Sequence, residues 1–483
     1  MIRGALIGAL AALTVLLALP GAATAGSVSI TTTLGQLTYT GDPTSNSVTI
    51  AWDPATSMYV VTDSAPLTVS PISGCTSLSA TSAACHDLVV TSIRATLAPT
   101  TNGADAANSI TLDPTLPDDE PARVDGGGGT DTFNGQAAPE TFNGGDGDDV
   151  ADGGPGTDTL NGDLGGDTLN GGADDDALYG HTPANTTPSR DGSDTLYGDD
   201  GNDVLTGHWS SDVLDGGNGI DRADYNDKRD FDPIGVTLND DTTRDDGGAS
   251  DGTIGNRDVV RTNVEQVFGG NGADTIVDAV TTSSVDNWFY GAGGSDRMSG
   301  GLGADNLQGT DGNDILNGER AGVTAESDSD LLQGGAGTDT VTYSDRAQNL
   351  RVTLDDVADD GTFSSGVSEE SDNVRADVER VVGGSGDDAI EAQSASVGNV
   401  LSGGPGADSI DGLAGDDTLN GDAGEDALTG GAGTDTFSGG DGDDRVFARD
   451  STPESGIDCG AGAADLVQLD LQLDIATSCE QTE

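Results

Sequence analysis

The sequence predicts an all-β protein, a parallel β-solenoid in which short strands stack as successive coils. A nine-residue pattern, G-G-x-G-x-D-x-U-x with U a large apolar residue, recurs along most of the chain, and a short fixed period is typical of repeat architectures. Glycine contributes 75 of the 483 residues and aromatic residues only 4%, which suits tight turns around a thin core. The chain also has 85 acidic against 18 basic residues and a net charge of −67, so its fold needs a means of neutralising carboxylates.

This charge argues against one class of function. A chain so acidic repels phosphate backbones, and unaided nucleic-acid binding is therefore not expected. Low hydrophobicity and high net charge are also typical of disordered chains. A flexible Gly-Asp spacer, however, would not keep an apolar residue at every ninth position, so the pattern favours a folded solenoid.

The repeats form three arrays, at residues 123–224, 269–342 and 383–447. Glycines at positions one, two and four permit a tight turn, and the x-U-x piece is a short strand with U directed inward. Two nonapeptides, turn and strand twice over, would close one coil. The predicted core consists of the U residues, among them Phe133, Leu160, Leu169, Leu178, Leu205, Leu307, Leu316, Leu419, Leu428 and Phe437.

The aspartate at position six points to a divalent cation. Stacked coils bring these carboxylates close together, and like charges oppose stacking. Ca²⁺ takes ~6–8 carboxylate and carbonyl oxygens at ~2.3–2.6 Å, whereas Mg²⁺ demands a tighter octahedron and gives up water reluctantly. The repeat offers no nitrogen or sulfur side chain, which argues against transition metals. The sequence therefore predicts multiple Ca²⁺ ions bound between turns.

Units such as GGPGTDTLN from Gly153 and GGAGTDTFS from Gly430 resemble the RTX, or haemolysin-type, calcium-binding repeat, which forms a parallel β-roll. The resemblance covers most of residues 126–447 and implies that the position-six aspartates and turn carbonyls bind Ca²⁺. By motif, these aspartates are Asp131, Asp149, Asp158, Asp167, Asp176, Asp203, Asp221, Asp274, Asp296, Asp305, Asp314, Asp339, Asp388, Asp408, Asp417, Asp426, Asp435 and Asp444.

Two turns depart from this family pattern. In GQAAPETFN from Gly135, a glutamate, Glu140, stands at position six and the inner glycines are missing. GHWSSDVLD from Gly207 also lacks them, so we expect Asp212 to be a poorer ligand than the aspartates of intact repeats.

Two segments interrupt the repeats, at 225–268 and 343–382, and they are duplicates. DVVRTNVEQVFGGNGADTI from Asp258 and DNVRADVERVVGGSGDDAI from Asp372 are identical at eleven of nineteen positions. Short apolar alternations such as V-T-L are typical of strands. We interpret both segments as wider coils of the same solenoid, because a separate domain of about 40 residues rarely has a sufficient core.

The N-terminus predicts export. Arg3, the apolar run from Ala5 to Leu19 and the small residues before Ala25 form a secretory signal peptide at 1–25. A membrane anchor is the weaker alternative, because the run is short for a span and Pro20 interrupts it. No later stretch is apolar enough to cross a bilayer. We therefore expect a secreted, extracellular protein, although many RTX proteins leave the cell without a cleavable leader.

The ends of the solenoid are predicted to be capped. Residues 26–122 lack the repeat and read as β structure that leads into the first array, and residues 448–483 form the opposite cap. Uncovered coil ends would expose strand edges and core. The four cysteines suggest two local disulfides in an exported chain, Cys75–Cys85 and Cys459–Cys479. A zinc site is a poor alternative, because there is no C-x-x-C pair and the histidines do not complete a ligand spacing; they are His86, His181 and His208.

No motif predicts an enzyme. The one G-x-S-x-G, around Ser250, lies in an Asp-rich loop and follows all three histidines, which does not fit a nucleophile elbow. The favoured hypothesis is an exported, non-enzymatic calcium-binding β-roll with a structural or surface-interaction role. The alternative is an exported polysaccharide-acting enzyme that uses the solenoid as a scaffold. The sequence leaves open the glycan or cell-surface partner, the oligomeric state and retention on the cell envelope.

Overall fold

The structure is a computed structural model. The structure describes residues 26–31, 36–41, 47–64, 67–69, 75–86, 92–97, 107–117, 121–181, 192–226, 232–239, 246–248, 257–280, 284–319, 329–364, 367–368, 370–393, 397–470 and 474–482. The predicted signal peptide and Ser250 lie outside these residues.

All regular elements of the described residues are strands. In the N-terminal region they are β1 (Gly26–Thr31), β2 (Gln36–Thr40), β3 (Ser47–Asp53), β4 (Met58–Asp63), β5 (Leu67–Val69), β6 (Cys75–Ser77), β7 (Ser82–His86), β8 (Ser92–Thr96) and β9 (Ser109–Leu112). The first array forms β10 (Ala122–Gly128), β11 (Thr132–Asn134), β12 (Glu140–Asp146), β13 (Val150–Pro155), β14 (Thr159–Leu164), β15 (Thr168–Ala173), β16 (Ala177–Tyr179), β17 (Thr195–Asp200), β18 (Val204–Thr206), β19 (Val213–Asn218) and β20 (Arg222–Asp224).

The middle of the chain continues the same alternation of strand and turn. Its strands are β21 (Gly235–Leu238), β22 (Val259–Val260), β23 (Gln266–Phe268), β24 (Thr275–Asp278), β25 (Trp288–Tyr290), β26 (Gly293–Gly294), β27 (Arg297–Gly301), β28 (Asn306–Gly312), β29 (Ile315–Glu319), β30 (Leu331–Gly337) and β31 (Thr340–Thr342).

The C-terminal part contains the last strands. They are β32 (Leu350–Thr353), β33 (Gly361–Ser364), β34 (Val367–Ser368), β35 (Asn373–Val374), β36 (Arg380–Val382), β37 (Ala389–Glu391), β38 (Val400–Pro405), β39 (Ser409–Asp411), β40 (Thr418–Ala423), β41 (Ala427–Thr429), β42 (Thr436–Asp441), β43 (Arg445–Phe447), β44 (Gly456–Asp458), β45 (Leu466–Gln468), β46 (Ala476–Thr477) and β47 (Gln481–Thr482).

One coil of the solenoid contains two nonapeptides. Phe142 pairs with Leu160, and Leu160 pairs with Leu178, in parallel strands of one sheet. Ala151 pairs with Leu169 in the opposite sheet. Each of these partners is 18 residues further along the chain, so successive repeats alternate between two facing sheets, and the predicted parallel β-roll is confirmed.

The strands form four sheets. Sheet I has 16 strands in the order β35-β30-β28-β25-β23-β20-β18-β16-β14-β12-β10-β8-β2-β1-β5, with β26 beside β28. Sheet II is ordered β22-β19-β17-β15-β13-β11-β9-β3-β4-β7-β6, sheet III β21-β24-β27-β29-β31-β36-β38-β40-β42-β44-β46, and sheet IV β34-β33-β32-β37-β39-β41-β43-β45-β47. Consecutive array strands alternate between sheets I and II, then I and III, then IV and III.

A single row of apolar side chains fills the space between facing sheets. All ten predicted core residues are at most 2% exposed. The rings of Phe133 and Phe142 stack with centroids 5.2 Å apart. The inward U positions therefore form the continuous thin core that the repeat predicts.

At two segments one sheet ends and another begins. We call residues 225–268 the first junction and residues 343–382 the second junction. In the first, β21 begins sheet III by pairing with β24, and the chain then returns to add β22 to β19 at the end of sheet II. In the second, β32 pairs with β37 in sheet IV, and β35 returns to β30 at the end of sheet I. Each junction thus ends one sheet and starts another with the same topology.

Both ends of the solenoid are stapled by the predicted disulfides. Cys75 and Cys85 join the antiparallel strands β6 and β7. Cys459 and Cys479 link the ends of the last coil of sheet III. The N-terminal antiparallel strands lead into the roll through β8 and β9, which pair in parallel with β10 and β11.

Candidate metal centres

Most turns before an inward strand have a left-handed residue at position two. Gly145 has φ +110° and Gly154 φ +92°, a conformation that glycine adopts without steric cost. In several turns where position two is not glycine the residue is still left-handed, as in Asp163 at +74° and His208 at +68°. The degraded turn from Gly207 therefore keeps this backbone path, whereas Gln136, in the degraded turn from Gly135, is not left-handed.

The first glycine of the repeat is required for a different reason: a carboxylate oxygen and a carbonyl oxygen both lie close to its Cα, where a side chain would otherwise stand. A Cβ on Gly412 would lie 2.6 Å from Asp417 Oδ2 and 2.6 Å from the carbonyl oxygen of Gly430 in the next coil. A Cβ on Gly126 would lie 2.7 Å from Asp131 Oδ2 and 2.6 Å from the carbonyl oxygen of Gly144. Real Cβ atoms do not come this close to other atoms, so this space beside the turn is lined by a carboxylate and a carbonyl.

The position-six aspartates form ladders along the edges of the roll. Oδ1 of each accepts a hydrogen bond from the backbone N–H of the previous rung. Asp131 N donates to Asp149 at 2.7 Å, and Asp149 N donates to Asp167 at 2.7 Å. In the third array Asp408 N donates to Asp426 at 2.8 Å, and Asp426 N donates to Asp444 at 2.9 Å.

The other carboxylate oxygen is buried and receives no hydrogen bond in fourteen of the eighteen predicted ligands. They are Asp149, Asp158, Asp167, Asp176, Asp203, Asp221, Asp296, Asp314, Asp339, Asp408, Asp417, Asp426, Asp435 and Asp444. A buried ionised oxygen without a partner is costly, and a cation would remove this cost. These oxygens, together with the turn carbonyls, are the hard ligands that Ca²⁺ prefers, so the residues present fit the ion.

Burial strongly perturbs these carboxyl groups. Desolvation raises the pKa of Asp149 to about 8, although the hydrogen bond from Asp131 N opposes the shift. It raises the pKa of Asp426 to about 7 and that of Asp417 to about 6. Neighbouring aspartates add to the shift because like charges disfavour ionisation. A metal ion bound at these carboxyl groups would therefore have to compete with protons.

Two predicted ligands have a different environment. Asp274 accepts hydrogen bonds from Ile234 N and Gly270 N, both at 2.9 Å. Asp388 accepts them from Leu350 N at 2.9 Å and Gly384 N at 2.8 Å. Each is the first repeat aspartate after a junction, and both of its carboxylate oxygens already accept a backbone N–H. Asp131 and Asp305 complete the predicted set and are buried at the repeat position, 1% and 2% exposed.

The ladders also include residues that the motif did not predict. Asp194, Asp330 and Asp465 each accept the backbone N–H of the preceding rung, at 2.8 to 2.9 Å. Their turns lack some of the motif glycines. Each aspartate is nevertheless followed directly by a short apolar strand, in the sequences D-T-L, D-L-L and D-L-V, and this pattern would have identified them.

The two degraded turns keep their acidic residue in the ladder. Asp212 is 0% exposed and its Oδ1 accepts Asp194 N at 2.8 Å, as in intact repeats. Glu140 is 2% exposed, its Oε2 accepts Gln136 N at 3.1 Å, and its own N–H donates to Asp158. Desolvation raises the pKa of Glu140 to about 8.

A metal ion at these turns would need backbone ligands as well as side chains. Within the described ranges, no three His, Cys, Asp or Glu side chains converge in a group that could hold a metal ion. Each candidate centre therefore combines position-six carboxylates with turn carbonyls. Among the residues described, no helix has the length and apolar character needed to cross a bilayer.

Comparison with known families identifies the repeat. The family model of the RTX calcium-binding nonapeptide repeat, which spans four copies, matches residues 134–169, 152–182, 189–223, 286–320, 323–344, 396–428 and 421–450. These segments lie in all three arrays, so the resemblance inferred from the motif is confirmed. A comparison with curated proteins finds no match.

Proposed function

Because this chain carries RTX calcium-binding nonapeptide repeats, we propose that it is an exported calcium-binding β-roll whose folding is driven by Ca²⁺ held between its Gly-Asp turns. The buried carboxylate oxygens that accept no hydrogen bond carry this proposal. The predicted position-six aspartates other than Asp274 and Asp388, whose oxygens already accept backbone N–H groups, would hold the ions together with carbonyl oxygens of the turns. When bound, Ca²⁺ supplies the positive charge that lets the stacked carboxylates remain ionised.

The chain's own residues prepare these sites. The left-handed residue at position two sets the turn, and the backbone N–H of one rung fixes the carboxylate of the next through Oδ1. This leaves Oδ2 directed at the space beside the first glycine. Because few other forces oppose the repulsion of −67 net charges, metal-binding free energy becomes folding free energy.

Extracellular calcium suits this role. Extracellular modules bind Ca²⁺ with Kd of about 10⁻⁴–10⁻³ M, and many weak, coupled sites would keep the arrays unfolded before export and fold them afterwards. The leader sequence and the two disulfides support export, since disulfides persist in oxidising compartments.

We infer a structural or surface-interaction role rather than catalysis. In the described part of the repeats, the buried position-six carboxylates are accounted for by the ladders of the solenoid. Incubation of the calcium-loaded protein with a panel of polysaccharides tests this. Released reducing ends would favour the polysaccharide-acting alternative, whereas unchanged glycans would support the structural role.

Equilibrium dialysis tests the calcium proposal. The full chain dialysed against 2 mM Ca²⁺, a concentration of the order at which extracellular sites fill, should bind several ions per molecule. An equal concentration of Mg²⁺ should displace few of them. Binding of no calcium, or equal binding of both ions, would contradict the proposal.

A further inference from the structure

The second junction contains a buried cation of its own. Arg346 donates from Nη1 to Glu370 Oε1 at 2.8 Å and from Nη2 to Glu370 Oε2 at 3.3 Å. Its Nη2 also lies 2.5 Å from Glu319 Oε1. The three side chains are at most 4% exposed. One guanidinium thus neutralises two buried carboxylates from distant segments.

This guanidinium occupies a place between stacked turns. β31 pairs with β29 in sheet III, so the turn that begins at Tyr343 lies beside the end of β29, whose last residue is Glu319. The next turn stacks on the Arg346 backbone, since Ser385 N donates to the Arg346 carbonyl at 2.8 Å and a Cβ on Gly384 would lie 2.7 Å from it. In the described part of the arrays, position-six carboxylates lie close enough to affect one another: after desolvation by burial, Asp408 and Asp444 both raise the pKa of Asp426.

Three buried carboxylates in and next to this junction have protein hydrogen-bond donors at both oxygens. Asp360 accepts Thr353 N at 2.6 Å and Val374 N at 2.8 Å. Asp372 accepts Asp330 N at 3.1 Å and the Tyr343 hydroxyl at 3.2 Å. Asp388, the next repeat aspartate, accepts two backbone N–H groups. Protein donors therefore satisfy both oxygens of each of these groups.

The junction also has a thicker core than the arrays. Its buried apolar side chains are at most 1% exposed and number more than one per nine residues; they include Tyr343, Leu350, Val352, Leu354, Val374, Val378 and Val381. Apolar burial contributes about 25 cal/mol per Å², so this segment gains more stability per residue from its core than the repeats do.

We propose that the second junction is a calcium-independent folded unit, in which Arg346 takes the place that Ca²⁺ has in the arrays. The inference rests on the proposed role of Ca²⁺ in holding the arrays. In it, the second junction stays folded without calcium, and the second and third arrays fold outward from it when Ca²⁺ binds. The first junction differs in sequence. When the two duplicated segments are aligned, Lys228 of the first junction corresponds to Arg346, and Asn256 corresponds to Glu370.

Hydrogen exchange of the full chain tests the proposal. In chelator at pH 7.5, peptides covering 343–354 and 370–382 should exchange at least about tenfold more slowly than peptides covering 400–447, because local stability differs along a chain. In saturating calcium both regions should be protected. Equal, rapid exchange of both regions in chelator would overturn the proposal but leave the calcium function intact. Equal protection of both in chelator would instead overturn the calcium function on which it rests.

Charge variants separate neutralisation from packing. Arg346→Met leaves two uncompensated buried glutamates, which is strongly destabilising, so protection of the junction in chelator should fall at least about tenfold. Adding Glu319→Gln and Glu370→Gln to this variant should restore most of the lost protection against exchange, because the three buried side chains are then neutral and no charge is desolvated. Lys228→Met, the matched change in the first junction, should leave exchange in the second unchanged. Failure of the triple variant to recover, with the Arg346→Met loss present, would show that Arg346 acts by packing and not as the cation.

Discussion

At the residue scale, the two carboxylate oxygens of a position-six aspartate have different environments. Oδ1 of Asp417 accepts the backbone N–H of Asn399 at 2.7 Å, which fixes the carboxylate in the coil. Oδ2 is buried and accepts no hydrogen bond. Removing the charge at Oδ2 should therefore weaken calcium binding more than it disturbs the turn.

Replacing Asp417 by Asn should raise the calcium concentration at the folding midpoint by about tenfold, which corresponds to ~1.4 kcal/mol. The amide oxygen can still accept Asn399 N, but the amide NH₂ cannot bind Ca²⁺. Asp416→Asn is the matched control, because Asp416 is the adjacent, exposed residue and the charge change is identical. Equal midpoint shifts for the two variants, measured by calcium titration with circular dichroism, would argue against Asp417 as a ligand.

A glycine at position one should be as necessary as the aspartate. Gly412→Ala would place a methyl group 2.6 Å from both Asp417 Oδ2 and the Gly430 carbonyl oxygen, and overpacking of this kind costs about 1–3 kcal/mol. At Gly456 the nearest atom to a Cβ is a Thr436 methyl at 3.8 Å, so Gly456→Ala should be nearly neutral. Urea unfolding in saturating calcium compares them, and a stability of Gly412→Ala equal to that of Gly456→Ala would contradict the packing of this site.

The motif predicted the ligand type but not every rung. Asp194 and Asp465 were missed because their turns had lost glycines, yet strand pairing holds the turn in place without them. Asp274 and Asp388 were predicted as ordinary ligands, although Ile234 and Leu350, about 40 residues upstream, donate to them. Such contacts depend on how the junctions pair, and a nine-residue pattern does not contain that information.

At the element scale, the ladders make the metal-free roll sensitive to pH. Burial raises the pKa of Asp158 to about 7 and that of Asp176 to about 8, whereas an unfolded Asp titrates near 3.9. The folded, metal-free state therefore binds more protons than the unfolded state. Its stability is greatest below the unfolded pKa and is lost as pH rises through about 6 to 8.

We expect the metal-free chain to gain β structure on acidification from pH 7.5 to about 5, because protons then replace calcium as the neutralising charge. Protons should also weaken calcium binding over this interval, since the ligands must be ionised. Circular dichroism of metal-depleted protein at a series of pH values measures this. Loss of β structure on acidification to pH 5 would contradict the buried carboxylates.

The C-terminal staple should protect the last coils. β43 pairs with β45, and Cys459, which is fully buried, donates from its N–H to Thr477 O at 3.1 Å. A disulfide that closes a loop of this length contributes about 3 kcal/mol. Cys459→Ser with Cys479→Ser should therefore speed hydrogen exchange at Val446 and Phe447 first. The matched Cys75→Ser, Cys85→Ser variant should leave hydrogen exchange at Val446 and Phe447 unchanged. Unchanged exchange at these residues in the Cys459→Ser, Cys479→Ser variant would exclude a capping role for the C-terminal disulfide.

At the scale of the whole molecule, the nine-residue period predicted the parallel coils, the 18-residue register and the inward core, because each repeat carries its own turn and strand signals. The return of β22 and β35 to earlier coils was not predictable in detail. The duplication revealed that two junctions exist, but their pairing depends on contacts between residues far apart in sequence. Arg346 shows the same limit, since its partners Glu319 and Glu370 come from different segments.

Circular dichroism of the full chain at pH 7.5 tests most directly whether calcium holds the arrays together. Metal-free protein should show mainly the spectrum of an unfolded chain, with residual β signal from the N-terminal strands and the second junction. Addition of Ca²⁺ should produce a cooperative gain of β structure, and equimolar Mg²⁺ should not, because its tighter octahedral geometry fits these ligands poorly. A metal-free sample already as β-rich as the calcium-loaded one, or an equal response to Mg²⁺, would contradict the account.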